Sequence, residues 1–320
     1  MQEILLYSLL FAVSLAVLAK SSDFFTDAAE KIGLLLGLPA FIIGVTIVAI
    51  GTSIPELVSS LVSISEGAPE FVVSNVVGSN ITNIFLIIGI ASVIGKQPIR
   101  ITYDLVGVDL PLFVGSAFIL ALEGADGRFT LGEALLNIVG YVMYLFYTVK
   151  GSGEVPETPD EELPVQVERS KRALVQQLLI ITLSSIFIYV GAKYTIESII
   201  RLSELLNVGK EIIAVTVVAF GTSLPELAVT VNATLKGKAE LAVGNVLGSN
   251  VFNTFMVMGV PGLVQELPVP PLVQQVSVPT MVAGTILLFF ATQDQELTIW
   301  EGWLFFILYA WFVGHSFGFL

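Results

Sequence analysis

Apolar runs of about 20 residues recur from one end of the chain to the other, separated by short polar stretches. A helix needs about 20 apolar residues to cross roughly 30 Å of hydrocarbon, so the pattern predicts ten spans. Their limits are 4–33, 39–64, 70–94, 103–122 and 130–149, then 173–204, 210–235, 240–263, 273–292 and 298–317. The first and sixth are long enough to lie tilted in a bilayer. The second, third, seventh and eighth carry Gly, Pro, Ser and Asn near their middles, which predicts interrupted helices. The apolar run from Ile4 to Leu18 lacks a basic flank and a small-residue cleavage site, so it reads as a first span rather than a removable leader.

The pattern is also duplicated. Phe41 to Ile90 aligns without a gap to Glu211 to Val260 at one fixed offset (226 − 56 = 170), with nearly half the positions identical. Both copies read G-T-S-[IL]-P-E-L, and both end on N-V-[VL]-G-S-N-x-x-N. Equivalent helices are five spans apart, and an odd number reverses direction across the membrane. The expected architecture is therefore an all-α membrane protein of ten transmembrane helices, built as two inverted five-helix repeats with broken helices at a central site. Residues 1–150 form the first repeat, 151–172 an acidic cytoplasmic linker and 173–320 the second repeat.

Composition agrees with membrane residence. The chain is 55% hydrophobic and only 13% charged, too little charge to cover a soluble domain of 320 residues. There is no cysteine, which removes disulfides, thiolate metal sites and thiol chemistry, and the one histidine, His315, lies near the C-terminus. The net charge of −13 is concentrated in part at Glu154, Glu157, Asp160, Glu161, Glu162 and Glu168, the mark of a solvated loop. With the N-terminus outside, Lys31, Lys96, Arg100, Lys150, Arg169, Lys171, Arg172, Lys236 and Lys238 fall on the cytoplasmic side, against Arg128, Arg201 and Lys210 outside. The positive-inside rule then places both termini outside and the central loop inside.

The duplicated motifs carry the chemistry. Pro55 has no N–H, so the carbonyl of Gly51 loses its helical partner and the helix bends or opens there. Thr52 and Ser53 stand four and three residues before Glu56, so a helix puts all three on one face. Gly221, Thr222, Ser223, Pro225 and Glu226 repeat every element, and the carbonyls of Ala49 and Ala219 lie one turn earlier. The following helices supply Ser79 with Asn83, and Ser249 with Asn253, again four apart. Ser79, Ser249, Asn80 and Asn250 serve equally well as ligands or as polar glue between helices. A carboxylate inside a membrane is costly and marks function by default. The donors are all oxygen, which suits calcium, with its six to eight flexible ligands, better than magnesium, zinc or copper. Two carboxylates balance one divalent ion, and the hydroxyls and amides beside them suit sodium.

These paired motifs resemble the two alpha repeats of the calcium/cation antiporter superfamily, in its prokaryotic sodium/calcium exchanger branch. The resemblance implies an alternating-access antiporter, not an enzyme, in the cell membrane of a prokaryote, exchanging Na+ for Ca2+. It implies that Glu56 and Glu226 ligate calcium and share sodium sites. Thr52, Ser53, Thr222 and Ser223, with the Ala49 and Ala219 carbonyls and Ser79 and Ser249, would hold sodium. Asn83 and Asn253 would border the centre, and the first and sixth helices would slide over the core. Asn253 stands where some relatives, including potassium-dependent ones, carry aspartate, which argues against potassium co-transport; Ser74 replaces an expected glycine. No cofactor, nucleic acid or obligate protein partner is expected beyond the two ions and the lipid bilayer. A proton/calcium antiporter would use the same glutamates without sodium sites, and a cation channel would use the same oxygens. An intramembrane hydrolase is poorly served, since His315 is far from both motifs.

Overall fold

Long apolar runs make long helices because each backbone group in hydrocarbon must find its partner within the segment. The computed structural model describes residues 2–65, 67–95, 98–101, 109–151, 171–205, 223–316 and 318. In chain order the helices are α1 (Gln2–Leu36), α2 (Ala40–Ser65), α3 (Glu70–Ile94), α4 (Asp109–Glu123) and α5 (Leu131–Gly151). They continue as α6 (Lys171–Leu205), α7 (Leu224–Leu235), α8 (Ala239–Val264), α9 (Val273–Thr292) and α10 (Ile299–Ser316).

Among the described residues, seven helices are long and apolar enough to cross a membrane: α1, α2, α3, α5, α6, α8 and α9. The expected number of ten is not reached by length and composition. Helix α4 has 15 residues, the described part of α7 has 12, and α10 has 18. Most of the expected linker, at 152–170, and the start of the expected seventh span, through 222, lie outside the described residues.

The molecule is inverted relative to a soluble protein. Leu122, Phe146 and Trp300 are among many large apolar side chains on the outer surface, while serines, threonines, asparagines and glutamates fill the centre. That distribution fits a lipid solvent, in which apolar groups face outward at no cost. Helix α8 is the most central, with 94% of its most apolar stretch buried, against 17% for α1 and 11% for α6. The α1 and α6 helices pack along each other at the periphery in opposite directions. Ser14 meets Thr195, whose Oγ1 donates to it at 3.0 Å, and four residues later Leu18 abuts Gly191, four residues earlier.

The expected interruptions take a specific form. Helix α2 continues through Pro55 and widens into a π turn upstream, at Gly44–Val48. Helices α3 and α8 contain π turns at Thr82–Ile87 and Asn253–Val257, directly after their Ser-Asn motifs. The described part of α7 starts at Leu224 with Pro225 in its first turn, where a missing N–H costs nothing. A further π turn, Val273–Ser277, opens α9 and was not expected.

Several features repeat between the halves. The turn after α2 and the turn after α7 share one geometry, with Gly67 at φ 80° and Gly237 at φ 74°. Each glycine N–H bonds three residues back and the next N–H five residues back, which closes the helix end. Among the described residues there are also four two-residue strands. Ile99–Arg100 (β1) pairs with Glu296–Leu297 (β4), and Arg128–Phe129 (β2) with Leu267–Pro268 (β3), both antiparallel. A single offset (267 − 99 = 168 and 296 − 128 = 168) carries one pair onto the other.

Candidate functional site

Helix α2 runs its Ala49, Thr52, Ser53 and Glu56 face into the protein, and all four are buried. Glu56 is 1% exposed and Glu226 of α7 is 0% exposed, so neither carboxyl faces lipid. They are held near one another: Ser53, one turn before Glu56, donates from Oγ to Glu226 Oε1 at 2.9 Å. The i, i+3, i+4 spacing read from the motif therefore delivers one hydroxyl to the carboxylate of the other repeat.

Helix α8 closes one side. Its backbone approaches α2 so tightly that a Cβ on Gly44 would sit 2.6 Å from the Leu241 carbonyl, and one on Gly244 2.6 Å from the Phe41 carbonyl. That contact sets Thr52 Oγ1 at 3.2 Å from Asn245 Oδ1 and 3.4 Å from Ser249 Oγ. Thr52 Oγ1 is also 3.3 Å from the Ala49 carbonyl, so that carbonyl already has a donor beside it. Asn245 Nδ2 donates to Thr230 Oγ1 at 2.9 Å and lies 3.5 Å from the Glu226 carbonyl.

At the centre, helices α3 and α8 exchange hydrogen bonds reciprocally. Asn83 Nδ2 donates to Asn250 Oδ1 at 2.9 Å, and Asn253 Nδ2 donates to Asn80 Oδ1 at 3.2 Å. Residue 83 is to 250 as 253 is to 80 under the 170-residue offset. Asn80 Nδ2 reaches Thr254 Oγ1 at 3.1 Å.

The acceptors left over decide what the site can bind. Glu56 Oε1 and Oε2, Glu226 Oε2, Asn83 Oδ1 and Asn253 Oδ1 are buried without a hydrogen-bond partner. Leaving such groups unpaired in a protein interior costs about 1–3 kcal/mol each, more when charged. Unpaired carboxylate and amide oxygens of this kind can be satisfied by a cation. Among the described residues no three His, Cys, Asp or Glu side chains gather in a metal cluster, so the donor set is one of oxygens with only two carboxyls. That is the preference of a hard ion such as calcium or sodium.

Of the residues expected from sequence, Glu56, Glu226, Thr52, Ser53, Ser249, Asn83, Asn253 and the Ala49 carbonyl are brought into this buried network or its immediate lining. Ser79 is buried within α3, and Ser223 is buried at the N-terminal cap of α7. Thr222 and Ala219 lie outside the described residues. Asn245 and Thr230 were missed as site residues. The signal was present, since Asn245 stands four before Ser249 and Thr230 four after Glu226.

The family model for sodium/calcium exchanger proteins matches residues 6–150 and 176–318. The chain belongs to the sodium/calcium exchanger family. It is an integral, multi-pass membrane protein. The sodium/calcium exchanger MaX1 of Methanosarcina acetivorans is 33% identical over 340 residues, covering 95% of this chain and 97% of that protein. The inner membrane protein YrbG of Escherichia coli is 30% identical over 263 residues, covering 81% and 80% of the two chains. Among solved structures, the sodium-calcium exchanger NCX_Mj soaked with 100 mM Na+ and 10 mM Sr2+ superposes with a TM-score of 0.81 at 29% identity, covering 96% of this chain and 97% of that one. Family membership and the buried oxygen network thus converge on one class of molecule, an ion exchanger.

Proposed function

We propose that this exchanger moves sodium against calcium by alternating access, with both ions bound between Glu56 and Glu226. The observation that carries the reading is the set of buried, unpaired acceptor oxygens on Glu56, Glu226, Asn83 and Asn253. Two carboxylates neutralise one calcium ion. When sodium replaces it, Thr52, Ser53, Ser249 and the Ala49 carbonyl supply neutral oxygens beside the same charges. Ser79, Ser223, Thr222 and the Ala219 carbonyl complete the set by the repeat's symmetry. Transport of this kind makes and breaks no covalent bond, requires no cofactor and asks for no partner but the two ions and the bilayer.

The ten-span inverted plan is part of this proposal, with 1–150 and 173–320 as repeats and 151–172 between them. The antiparallel α1 and α6, the reciprocal asparagine bonds and the interchangeable strand pairs support it. Helices α1 and α6, peripheral and mostly lipid-facing, are the elements that would slide. Lysine and arginine placement supports both termini outside, in the cell membrane of a prokaryote.

The test is isotopic calcium uptake into proteoliposomes under imposed gradients. Uptake is expected when sodium is loaded inside and diluted outside, and is expected to vanish in Glu56→Gln. Uptake driven equally well by a proton gradient without sodium would reject sodium coupling.

A further inference from the structure

The two π turns that carry Asn83 and Asn253 are equivalent in sequence but differ in what caps them. A π turn shifts the hydrogen-bond ladder by one residue, leaving a carbonyl bypassed. In α8 the N–H of Met258 goes to the carbonyls of Asn253 and Phe255, passing over that of Thr254. In α3 the N–H of Ile88 goes to the carbonyl of Asn83, passing over Ile84. Residues 84 and 254 are related by the same 170-residue offset.

The Thr254 carbonyl has an external donor. Asn137, on α5 and 0% exposed, donates from Nδ2 to it at 3.3 Å. The second hydrogen of that amide goes to Glu123 Oε2 at 3.0 Å, at the end of α4. Each hydrogen of Asn137 Nδ2 thus has one acceptor, and the two acceptors fix the amide plane. Thr254 in turn accepts from Asn80 through its hydroxyl, and Asn80 accepts from Asn253. The chain of contacts therefore runs Glu123, Asn137, Thr254, Asn80, Asn253. In the second half the position related to 137 is Ile307, or Phe305 by the 168-residue offset of the strands, and neither side chain has a donor to offer the Ile84 carbonyl.

We infer that Asn137, oriented by Glu123, is a positioning residue for the ion site: it caps the Thr254 carbonyl, fixes the π turn that presents Asn253, and makes the two half-sites unequal. This rests on the exchange reading above. A buried polar group is costly unless it is hydrogen-bonded; the Asn137 amide nitrogen finds one of its two acceptors in the helix backbone next to the ion site, while Asn137 Oδ1 is buried without a partner. The consequence is that ion affinity, rather than turnover, depends on a pair of side chains that line no part of the ion site.

The experiment measures the calcium concentration for half-maximal sodium-driven uptake, with maximal rate and thermal midpoint, for the wild-type protein and Asn137→Leu, Glu123→Leu and Glu123→Gln. Asn137→Leu and Glu123→Leu are expected to raise the half-saturating concentration about three- to tenfold, the range of one lost buried hydrogen bond, with the maximal rate within about twofold of wild type. Glu123→Gln keeps an acceptor oxygen for Asn137 and is expected to stay within about twofold of wild type in both parameters. If Asn137→Leu does not reach the membrane folded, the contrast between the two Glu123 variants carries the test alone. Half-saturation unchanged in the leucine variants, or a fall only in thermal midpoint, would overturn the assignment and leave a structural pair. Failure of the exchange reading looks different, because the wild-type protein itself would show no sodium-driven uptake.

Discussion

At the residue scale, the site is an arrangement of acceptors that outnumber their donors. Ser53 illustrates how the repeats serve each other: it lies on α2 but its hydroxyl donates to Glu226 on α7. Removing that hydrogen bond leaves a buried carboxylate oxygen with one donor fewer. Hydrogen bonds to charged groups contribute about 1.5–3 kcal/mol. Ser53→Ala is therefore expected to weaken ion binding by about tenfold or more, read as a rise in half-saturating calcium and sodium in uptake assays. Unchanged affinities would show that the hydroxyl has no bearing on the carboxylate. The glutamates, hydroxyls and central asparagines were legible in the sequence because polar residues in an apolar run have few other reasons to recur at fixed spacing. Asn245 opens the second N-V-L-G-S-N motif, yet its link to Thr52 is not readable from sequence, since the two are 193 residues apart. Asn137 and Glu123 gave no signal, because both lie outside the duplicated stretches 41–90 and 211–260.

At the scale of elements, hydropathy placed helices α2, α3, α8 and α9 close to their observed limits, because a membrane-crossing segment must be apolar for its whole length. It did not show the π turns. Proline at position 55 suggested an opening in α2, whereas the ladder actually widens at Gly44–Val48, where α8 presses closest. Backbone proximity of that kind depends on the partner helix and cannot be read from one segment. It has a stability consequence. A methyl added at Gly44 would meet the Leu241 carbonyl and the Asn245 amide at 2.6 and 3.0 Å. Gly44→Ala is expected to destabilise the protein by about 1–3 kcal/mol through overpacking. At Gly78 nothing lies within 4 Å of such a methyl. Gly78→Ala is expected to be neutral or to stabilise by up to about 1 kcal/mol through helix propensity. Thermal midpoints in detergent compare the two, and an equal loss in both would refute the packing argument.

At the scale of the whole molecule, duplication explains why the centre is polar and the rim apolar. Each half brings one carboxylate and one asparagine pair to a shared axis, and the reciprocal bonds between residues 80, 83, 250 and 253 lock the halves there. The periphery is tied differently. Lys236 and Lys238, in the turn after α7, hold Asp23, Asp27 and Glu30 along α1 with ion pairs of 2.5 to 3.1 Å. Helix α1 is thereby fastened to the core at one end, while its length packs mainly on α6 and a few neighbours. Duplication and the polar motifs were plain in the sequence, whereas the ion-pair fastening was not, since it joins segments more than 200 residues apart. The account stands on a buried cation seat shared by the two repeats. Calorimetric titration of calcium into purified, sodium-free protein tests it most directly, with wild type beside the Glu56→Gln, Glu226→Gln double variant. Saturable calcium binding that added sodium displaces, and that the double variant loses, is the expected result; equal calcium affinity in both proteins would contradict it.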